Sequence, residues 1–217
     1  MEYRKNDIVT LEIVDCGTDG EGIGKADGFT VFVKDAVIGD TVTAKIMKAK
    51  KNYGYGRLME ILKPSPYRVD PICPSARQCG GCQLQAVSYE EQKAFKEKKL
   101  RGHLERIGGF KELPMEPLIG MDEPYHYRNK AQFPVGRNKE GRIVTGFYAG
   151  RTHAIIENRD CALGIPQNKE VLDRVIAHME KYNIVPYDEM TGKGLVRHIF
   201  VRYGFFTGEL MVCLIIN

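Results

Sequence analysis

Three thiols lie close together in the chain, at Cys73, Cys79 and Cys82, in the pattern Cys-Pro-x4-Cys-Gly-Gly-Cys. Thiolates on a glycine-rich loop can bind a soft metal centre, because glycines let backbone N–H groups approach the sulfur atoms. Cys161 is a candidate fourth ligand. Zinc is the first alternative to an iron–sulfur cluster, although structural zinc sites generally pair two short knuckles, whereas here one loop supplies three thiols. The pattern predicts a metal centre.

The remaining composition is that of an ordinary folded protein, with 43% hydrophobic and 28% charged residues. The chain has no apolar run long enough to cross a membrane, and its start lacks the pattern of a secretory signal. We therefore expect a cytoplasmic protein without membrane contact, in which six cysteines do not form structural disulfides. Cys16 and Cys213 each stand alone in an apolar segment, which predicts a packing role.

A basic stretch with two interleaved tyrosines suggests contact with single-stranded RNA, since cations bind phosphates and aromatic rings stack on bases. A solvated barrel face explains the same stretch equally well. A second candidate group lies further along the chain, where the residues alone would also suit an amphipathic strand. The predicted RNA contacts are Lys45, Lys48, Lys50, Lys51, Tyr53, Tyr55 and Arg57 in the first group, and Arg128, Lys130 and Phe133 in the second.

Alternation of apolar and polar residues predicts about five strands between residues 7 and 62, which suit a small closed barrel of the OB type. The glycines between residues 17 and 28 are interpreted as turn residues, because their spacing does not match a phosphate-binding loop. Two prolines at 64 and 66 predict a linker. The fold class is thus a β barrel over residues 1–63, followed by an α+β domain with an antiparallel sheet over residues 64–217.

The second predicted domain contains two helices. A capping box at Ser88 should open the first, with Leu100, Leu104 and Ile107 on one face, and glycines at 108 and 109 should end it. The second should begin near Pro166 and end near Asn183, with one apolar stripe formed by Val171, Leu172, Val175, Ile176, Met179 and Tyr182. Strands are expected at 126–135, 143–148, 153–158, 196–203 and 209–216. The last is interpreted as a buried strand, and its abrupt end suggests that the natural protein continues beyond Asn217.

The order of these motifs resembles the RNA (uracil-5)-methyltransferases that carry an N-terminal TRAM domain. The resemblance rests on Cys-Pro-x4-Cys-Gly-Gly-Cys-Gln-Leu-Gln, Tyr-Arg-Asn-Lys, Gly-Phe-Tyr and Asp-Cys-Ala-Leu, and less specifically on Gly-Asp-x-Val-x-Ala-x-Ile in the barrel. It implies that Cys73, Cys79, Cys82 and Cys161 hold a [4Fe-4S] cluster, and this favours iron–sulfur over zinc. It also implies that the barrel and the following domain bind RNA and that the protein makes 5-methyluridine in RNA. We expect 23S rRNA before tRNA as the substrate, and a monomeric protein.

In that family a Rossmann-like domain binds S-adenosylmethionine and carries the catalytic cysteine. The sequence has no S-adenosylmethionine glycine loop and no candidate for that cysteine. We therefore expect that the Rossmann-like catalytic domain is absent and that this chain contains no catalytic residue. We also expect that the chain alone does not transfer a methyl group. Three alternatives remain. A radical methylthiotransferase would need a Cys-x3-Cys-x2-Cys motif and a C-terminal barrel, and a ferredoxin-like electron carrier would not explain the basic barrel. A stand-alone RNA-binding module with a zinc or iron–sulfur clip is the main alternative.

Overall fold

The computed structural model describes residues 3–150 and 152–217, which form two compact units. One unit comprises the chain up to Pro71 together with Gln83–Gly120. The other comprises Ile72–Cys82 together with Met121–Asn217. The domain boundary between residues 63 and 64 stays a prediction, and residues 1 and 2 of the first predicted domain lie outside the described part of the chain.

The first unit contains a closed barrel of five strands in the order β1-β2-β3-β5-β4. The strands are β1 (Ile8–Cys16), β2 (Gly22–Ala26), β3 (Phe29–Lys34), β4 (Thr41–Ala49) and β5 (Tyr53–Lys63). Neighbours are antiparallel except β3 and β5, which run parallel. Every second side chain points inward, as the two-residue period of a strand requires, so the core consists mainly of small branched residues. Its fully buried members include Val31, Val33, Val42, Ala44 and Ile46.

Two of the glycines interpreted as turn residues lie inside β2 instead. Gly22 and Gly24 are both buried in that strand. A Cβ atom on Gly24 would collide with the backbone oxygen of Glu12 on the neighbouring strand. These glycines therefore permit close packing of β2 on β1, a role that the turn-like local sequence did not predict.

A buried carboxylate ties the chain that leaves the barrel to the turn between β3 and β4. Asp40 has no solvent exposure and accepts hydrogen bonds from the backbone N–H groups of Val37 (2.7 Å) and Ser65 (2.8 Å). Arg68 donates to the same carboxylate through Nε (3.1 Å) and Nη2 (2.5 Å). Burial on its own would raise the pKa of Asp40, but the donors, with Arg68 foremost, outweigh it and lower that pKa.

Helix α1 (Tyr89–Arg106) belongs to the first unit. It begins where the capping box predicted, since Ser88 accepts a hydrogen bond from the N–H of Glu91 at 3.4 Å. Leu100 and Ile107 share one side of the helix, as predicted, but that side is not buried, because Leu100 is 50% and Ile107 is 81% exposed. Gly102 is the one buried residue of the helix, so its cap and its helix-favouring residues explain α1 better than an apolar stripe does.

The second unit is an antiparallel sheet of five strands covered on one face by a helix. The sheet order is β10-β9-β6-β7-β8. The elements are β6 (Lys130–Arg137), β7 (Ile143–Tyr148), β8 (Ile155–Glu157), α2 (Gln167–Lys181), β9 (Val196–Tyr203) and β10 (Leu210–Ile216). The predicted stripe of α2 is present: Leu172, Ile176 and Met179 are buried in one core with sheet residues such as Phe133 and Ile199. This packing positions the loops that carry the candidate metal site.

The last strand differs from the expectation of a buried strand. Strand β10 forms an edge of the sheet, pairing with β9 alone. Its apolar side chains are 41–56% exposed at Leu210, Met211, Val212, Leu214 and Ile216, and Cys213 is exposed as well. The interpretations of β10 as a buried strand and of Cys213 as a packing residue were therefore wrong, because the core described for this unit includes residues of β9 but none of β10.

Among the described residues, no helix combines the length and the apolar character needed to cross a membrane.

Candidate functional site

The loop with the three clustered cysteines belongs to the same compact unit as Cys161. Cys79 forms an isolated antiparallel bridge with Ala149, just after β7, and the N–H of Gly80 donates to the carbonyl oxygen of Tyr148 at 3.0 Å. A Cβ atom on Gly80 would lie 3.1 Å from the Cα atom of Gly150. The first glycine of the Cys-Gly-Gly-Cys motif thus permits close approach of the loop to the end of β7.

The turn that contains Cys161 follows β8 and is fixed by a neighbouring segment. The N–H of Gly164 donates to the carbonyl oxygen of Cys161 at 2.9 Å. His126 and Arg128 donate their backbone N–H groups to Ala162 (3.0 Å) and Leu163 (2.9 Å). Cys161 is therefore held by backbone pairing on both sides of the turn.

Burial and nearby charges act on the Cys79 thiol. Burial raises the pKa of the Cys79 thiol; the N–H of Gly81, 3.4 Å from its Sγ atom, opposes the increase. The thiols of Cys161 and Cys73 also raise that pKa, and the charge of Arg128 lowers it. Two of the other predicted ligands and one cation therefore influence the same thiol.

Cys73 is the most deeply buried of the four cysteines, and a hydrogen-bond donor lies beside it. Cys73 is only 6% exposed, and Asn158 lies beside it with Nδ2 at 3.5 Å from the Sγ atom. Cys82 follows in the same loop and is half-buried. The loop and the turn thus bring all four predicted ligands into one unit, with N–H groups directed at two of the sulfur atoms.

No three His, Cys, Asp or Glu side chains within residues 3–150 and 152–217 are close enough together to bind a single metal ion. A zinc ion with Zn–S bonds of about 2.3 Å would need its thiolates within about 4 Å of one another. A four-iron cluster is wider, so its cysteine ligands lie further apart than those of one ion. The described residues thus do not decide between the two kinds of site, and both the cluster and the zinc alternative stay predictions.

A second candidate site is the outer face of the barrel, where Tyr53, Tyr55 and Arg57 project from β5. The residues between them, Gly54 and Gly56, are buried. A Cβ atom on Gly56 would lie 3.1 Å from Ala44 and from Val31, in the packed interior. The glycines of β5 therefore face the packed interior of the barrel, and the tyrosines that alternate with them face outward.

Phe32 on β3 completes a cluster of three rings, which we call the ring cluster: Phe32, Tyr53 and Tyr55. The centroid of Phe32 lies 5.8 Å from that of Tyr53 and 5.6 Å from that of Tyr55, and the two tyrosine centroids are 5.8 Å apart. Sequence reasoning missed Phe32. Its place between the inward-facing Val31 and Val33 is the signal that could have revealed an outward ring.

Cations surround the ring cluster. In the strand register Arg57 lies opposite Lys34 on one side and Lys45 on the other, and Lys48 lies opposite Tyr55. The other predicted contacts, Lys50 and Lys51, are exposed at the turn between β4 and β5. The barrel thus gathers the first predicted group of RNA contacts on one region of its surface.

The second predicted group is divided by the structure. Lys130 is exposed, with Nζ 5.2 Å from the ring centroid of Phe200, while Arg128 lies near the thiol of Cys79. Phe133 is fully buried, and its ring centroid lies 5.0 Å from that of Phe147. The prediction that Phe133 contacts RNA was wrong, because alternation along β6 turns this ring into the core.

Comparison with known proteins identifies the barrel. Residues 4–59 match the TRAM domain family. Over 212 residues the chain is 44% identical to a protein named "Uncharacterized RNA methyltransferase" from Halalkalibacterium halodurans, covering 98% of this chain and 46% of that protein. A protein of the same name from Clostridium tetani is 43% identical over 215 residues, covering 99% of this chain and 46% of the relative. The chain thus spans about half the length of these relatives.

A solved structure shares the fold. The tRNA (uracil-54, C5)-methyltransferase of Pyrococcus abyssi, in complex with S-adenosyl-L-homocysteine, superimposes with a TM-score of 0.70 at 24% identity, over 95% of this chain and 46% of that one. The chain therefore contains a TRAM domain and shares the fold of the corresponding part of that solved structure. The TRAM domain and the similarity to proteins named RNA methyltransferases confirm that much of the resemblance stated from the sequence.

The comparisons correct one part of the expected fold class, the statement that the catalytic domain is absent. The similarity to proteins named RNA methyltransferases extends over 98% of this chain, and the solved neighbour is itself a methyltransferase. The expectation rested on motifs that were not found. A missing motif is weak evidence, since catalytic groups are defined by geometry and not by sequence spacing. The predictions of an absent catalytic domain and of an inactive chain are withdrawn.

Proposed function

We propose that the protein transfers a methyl group from S-adenosylmethionine to C5 of a uridine in RNA. The observation that carries this proposal is the similarity to RNA methyltransferases over nearly the whole chain, joined to the fold of a tRNA uracil-C5 methyltransferase. The S-adenosyl-L-homocysteine in that neighbour, the demethylated product of S-adenosylmethionine, supports the choice of methyl donor. Among RNA substrates we put 23S rRNA first and tRNA second. A cytoplasmic location and a monomeric state stay predictions.

The test is the removal of the gene from its source organism. Nucleoside mass spectrometry and site mapping of 23S rRNA and of bulk tRNA should show that one 5-methyluridine is lost and that plasmid-borne expression restores it. Loss from tRNA with unchanged rRNA would overturn the choice of 23S rRNA and leave the reaction standing. Unchanged 5-methyluridine in both RNA classes would overturn the proposed reaction.

We also propose that Cys73, Cys79, Cys82 and Cys161 hold a [4Fe-4S] cluster. Support comes from their place in one unit, from the N–H groups of Gly81 and Asn158 directed at two sulfur atoms, and from the close approach that Gly80 permits. Four cysteine ligands would leave no iron open to substrate, so the cluster would act by connecting the loop at 72–82 to the turn at Cys161.

Metal analysis of anaerobically purified protein tests this proposal. Iron and sulfide in roughly equal amounts, with broad visible absorption, are expected for the unaltered protein. Cys161→Ser should lose most of both, whereas Cys213→Ser, at an exposed cysteine of the same unit, should keep them. A colourless protein with one bound zinc would overturn the cluster and support the zinc alternative.

For RNA binding we propose the barrel residues Lys45, Lys48, Lys50, Lys51, Tyr53, Tyr55 and Arg57, together with Lys130 and Arg128. The exposure of most of this set and the proximity of the barrel members support it. The position of Arg128 near Cys79 suggests a second role for its charge, which would offset the negative charge of ligating thiolates. A stand-alone RNA-binding module remains the second candidate function, and the gene-removal experiment distinguishes the two.

A further inference from the structure

A basic depression lies at the surface of the barrel, next to the ring cluster. It is lined by Tyr3, Arg4, Lys5, Met47, Lys48 and Ala49. The segment before β1 is held there by backbone pairing with β4: the N–H of Asn6 donates to the carbonyl oxygen of Ile46, and the N–H of Ile46 donates to that of Asp7, each at 2.8 Å. Three cations thus converge on a position that the chain's backbone fixes.

The nearby acids have partners on the protein. Asp7 accepts a hydrogen bond from the backbone N–H of Arg4 at 2.7 Å, and Asp27 accepts one from the hydroxyl of Tyr3 at 2.7 Å. Both carboxylates keep their charge, but neither lines the depression, whose charged lining residues are Arg4, Lys5 and Lys48. Such a lining favours a polyanion.

The depression and the ring cluster are continuous through one residue. Lys48 lines the depression and also lies opposite Tyr55 in the register of β4 and β5. The rings of Phe32 and Tyr55 are inclined by only 33° to one another, so they present a nearly common surface, while Tyr53 stands edge-on to both. The aromatic rings of the ring cluster and the cations of the depression are therefore neighbours on the barrel surface.

We propose that the ring cluster and the depression together form one binding track for an unpaired stretch of RNA. Bases stack on Phe32, Tyr53 and Tyr55, and the adjoining phosphates lie against Arg4, Lys5 and Lys48. A duplex does not satisfy this arrangement, because paired bases are stacked on each other and their faces cannot reach protein rings. The inference rests on the proposed RNA function and adds the rejection of duplex RNA and three residues, Phe32, Arg4 and Lys5.

Fluorescence anisotropy with labelled RNA tests the proposal. The probes are an unpaired oligoribonucleotide of about a dozen nucleotides and the same strand annealed to its complement. The unpaired probe should bind more tightly. The double variant Tyr53→Leu/Tyr55→Leu should weaken its binding by about 5-fold to 150-fold per lost stacked base. Tyr53→Phe/Tyr55→Phe keeps both rings and should bind as the unaltered protein does.

Salt dependence tests the depression separately. For Arg4→Gln/Lys5→Gln, the slope of log affinity against log salt should fall by about 1.4, since each phosphate contact on a single strand contributes about 0.7. The matched control Lys139→Gln/Arg142→Gln removes two exposed cations from the turn between β6 and β7, and the slope should not change. Circular dichroism verifies that each variant is folded.

Three results would overturn the track: duplex RNA binding as tightly as the unpaired strand, the leucine pair and the glutamine pair binding like the unaltered protein, or polyglutamate displacing RNA as well as unlabelled RNA does. The last result would indicate a docking site for an acidic protein segment. If the unaltered protein binds no RNA, the proposed function fails with the track; if it binds RNA regardless of these variants, the track alone fails.

Discussion

Replacing Asp40 by Asn should strongly destabilise the barrel unit. The substitution keeps the shape of the side chain, so no cavity forms, but it removes the charge that pairs with Arg68 and replaces one acceptor oxygen by a donor. Four hydrogen bonds converge on the carboxylate, two from backbone N–H groups and two from the guanidinium. An N–H···H–N contact would then replace at least one of them.

The magnitude follows from burial. Asp40 is completely buried, whereas the side chain of Arg68 is 20% exposed and can regain some hydration. Breaking a buried ion pair by removing one partner costs about 3–5 kcal/mol, and the partial exposure of Arg68 favours the lower half of that range. The matched control is Asp15→Asn, which removes an exposed pair with Lys98 at 3.9 Å and should cost about 0–1 kcal/mol.

The assay is urea unfolding followed by far-ultraviolet circular dichroism, since the protein has no tryptophan. Hydrogen exchange at the amides of Val37 and Ser65 reports the local effect, and both should exchange faster in Asp40→Asn. A loss of less than about 1 kcal/mol in the free energy of unfolding, or unchanged exchange at both amides, would refute the reasoning.

The pH dependence has a definite sign. The pKa of Asp40 is lower in the folded protein than the ordinary Asp value of about 3.9. Its contribution to stability is therefore fully present above that ordinary value and is lost as the pH falls through the folded pKa. The difference in stability between the unaltered protein and Asp40→Asn should narrow in acid; a constant difference across that range would contradict the assignment.

Three further predictions test the burial of individual side chains. Burial raises the pKa of Cys16 to about 11, so only about one thiol in a thousand is ionised at pH 8; iodoacetamide followed by peptide mass spectrometry should label the exposed Cys213 well before Cys16. Phe133→Ala should lower the free energy of unfolding by about 3–5 kcal/mol, whereas Phe206→Ala, at a fully exposed ring, should change it by less than about 0.5 kcal/mol; equal effects in urea unfolding would contradict the core position. Thr145→Val removes a buried hydrogen bond to the carbonyl oxygen of Pro134 at 2.9 Å and should cost about 1 kcal/mol in the same assay, and an increase in stability would contradict a contribution from that bond.

Most elements could be predicted from sequence because their signals are local. Strands β7 (Ile143–Tyr148) and β9 (Val196–Tyr203) have the expected bounds, and Ser88 caps α1 as its hydroxyl and its spacing to Glu91 require. The predicted stripe on α2 is buried at Leu172, Ile176 and Met179. Its last predicted member, Tyr182, is 57% exposed at the end of the helix. Periodicity shows which side chains share one face of a helix, but it does not show how far the sheet beneath that face extends.

Exposure could not be predicted where it depends on distant parts of the chain. The apolar run of β10 has the composition of a buried strand, yet the strand lies at the sheet edge, outside the core that α2 shares with β6 and β9. Leu100 and Ile107 share one helical face, but little of the barrel unit packs against it. Apolar composition is a local property, whereas burial requires a partner that another segment must supply.

The sequence by itself determined the cysteine loop, its two glycines and the alternating tyrosines of β5, because each depends on spacing between near neighbours. Only the tertiary structure decided that the loop at 72–82 joins the unit of Cys161, that Phe32 lies beside two tyrosines, and that Phe133 turns inward. The physical reason is the same in each case. These relations depend on strand register and on contacts between residues far apart in the chain, which local patterns do not specify.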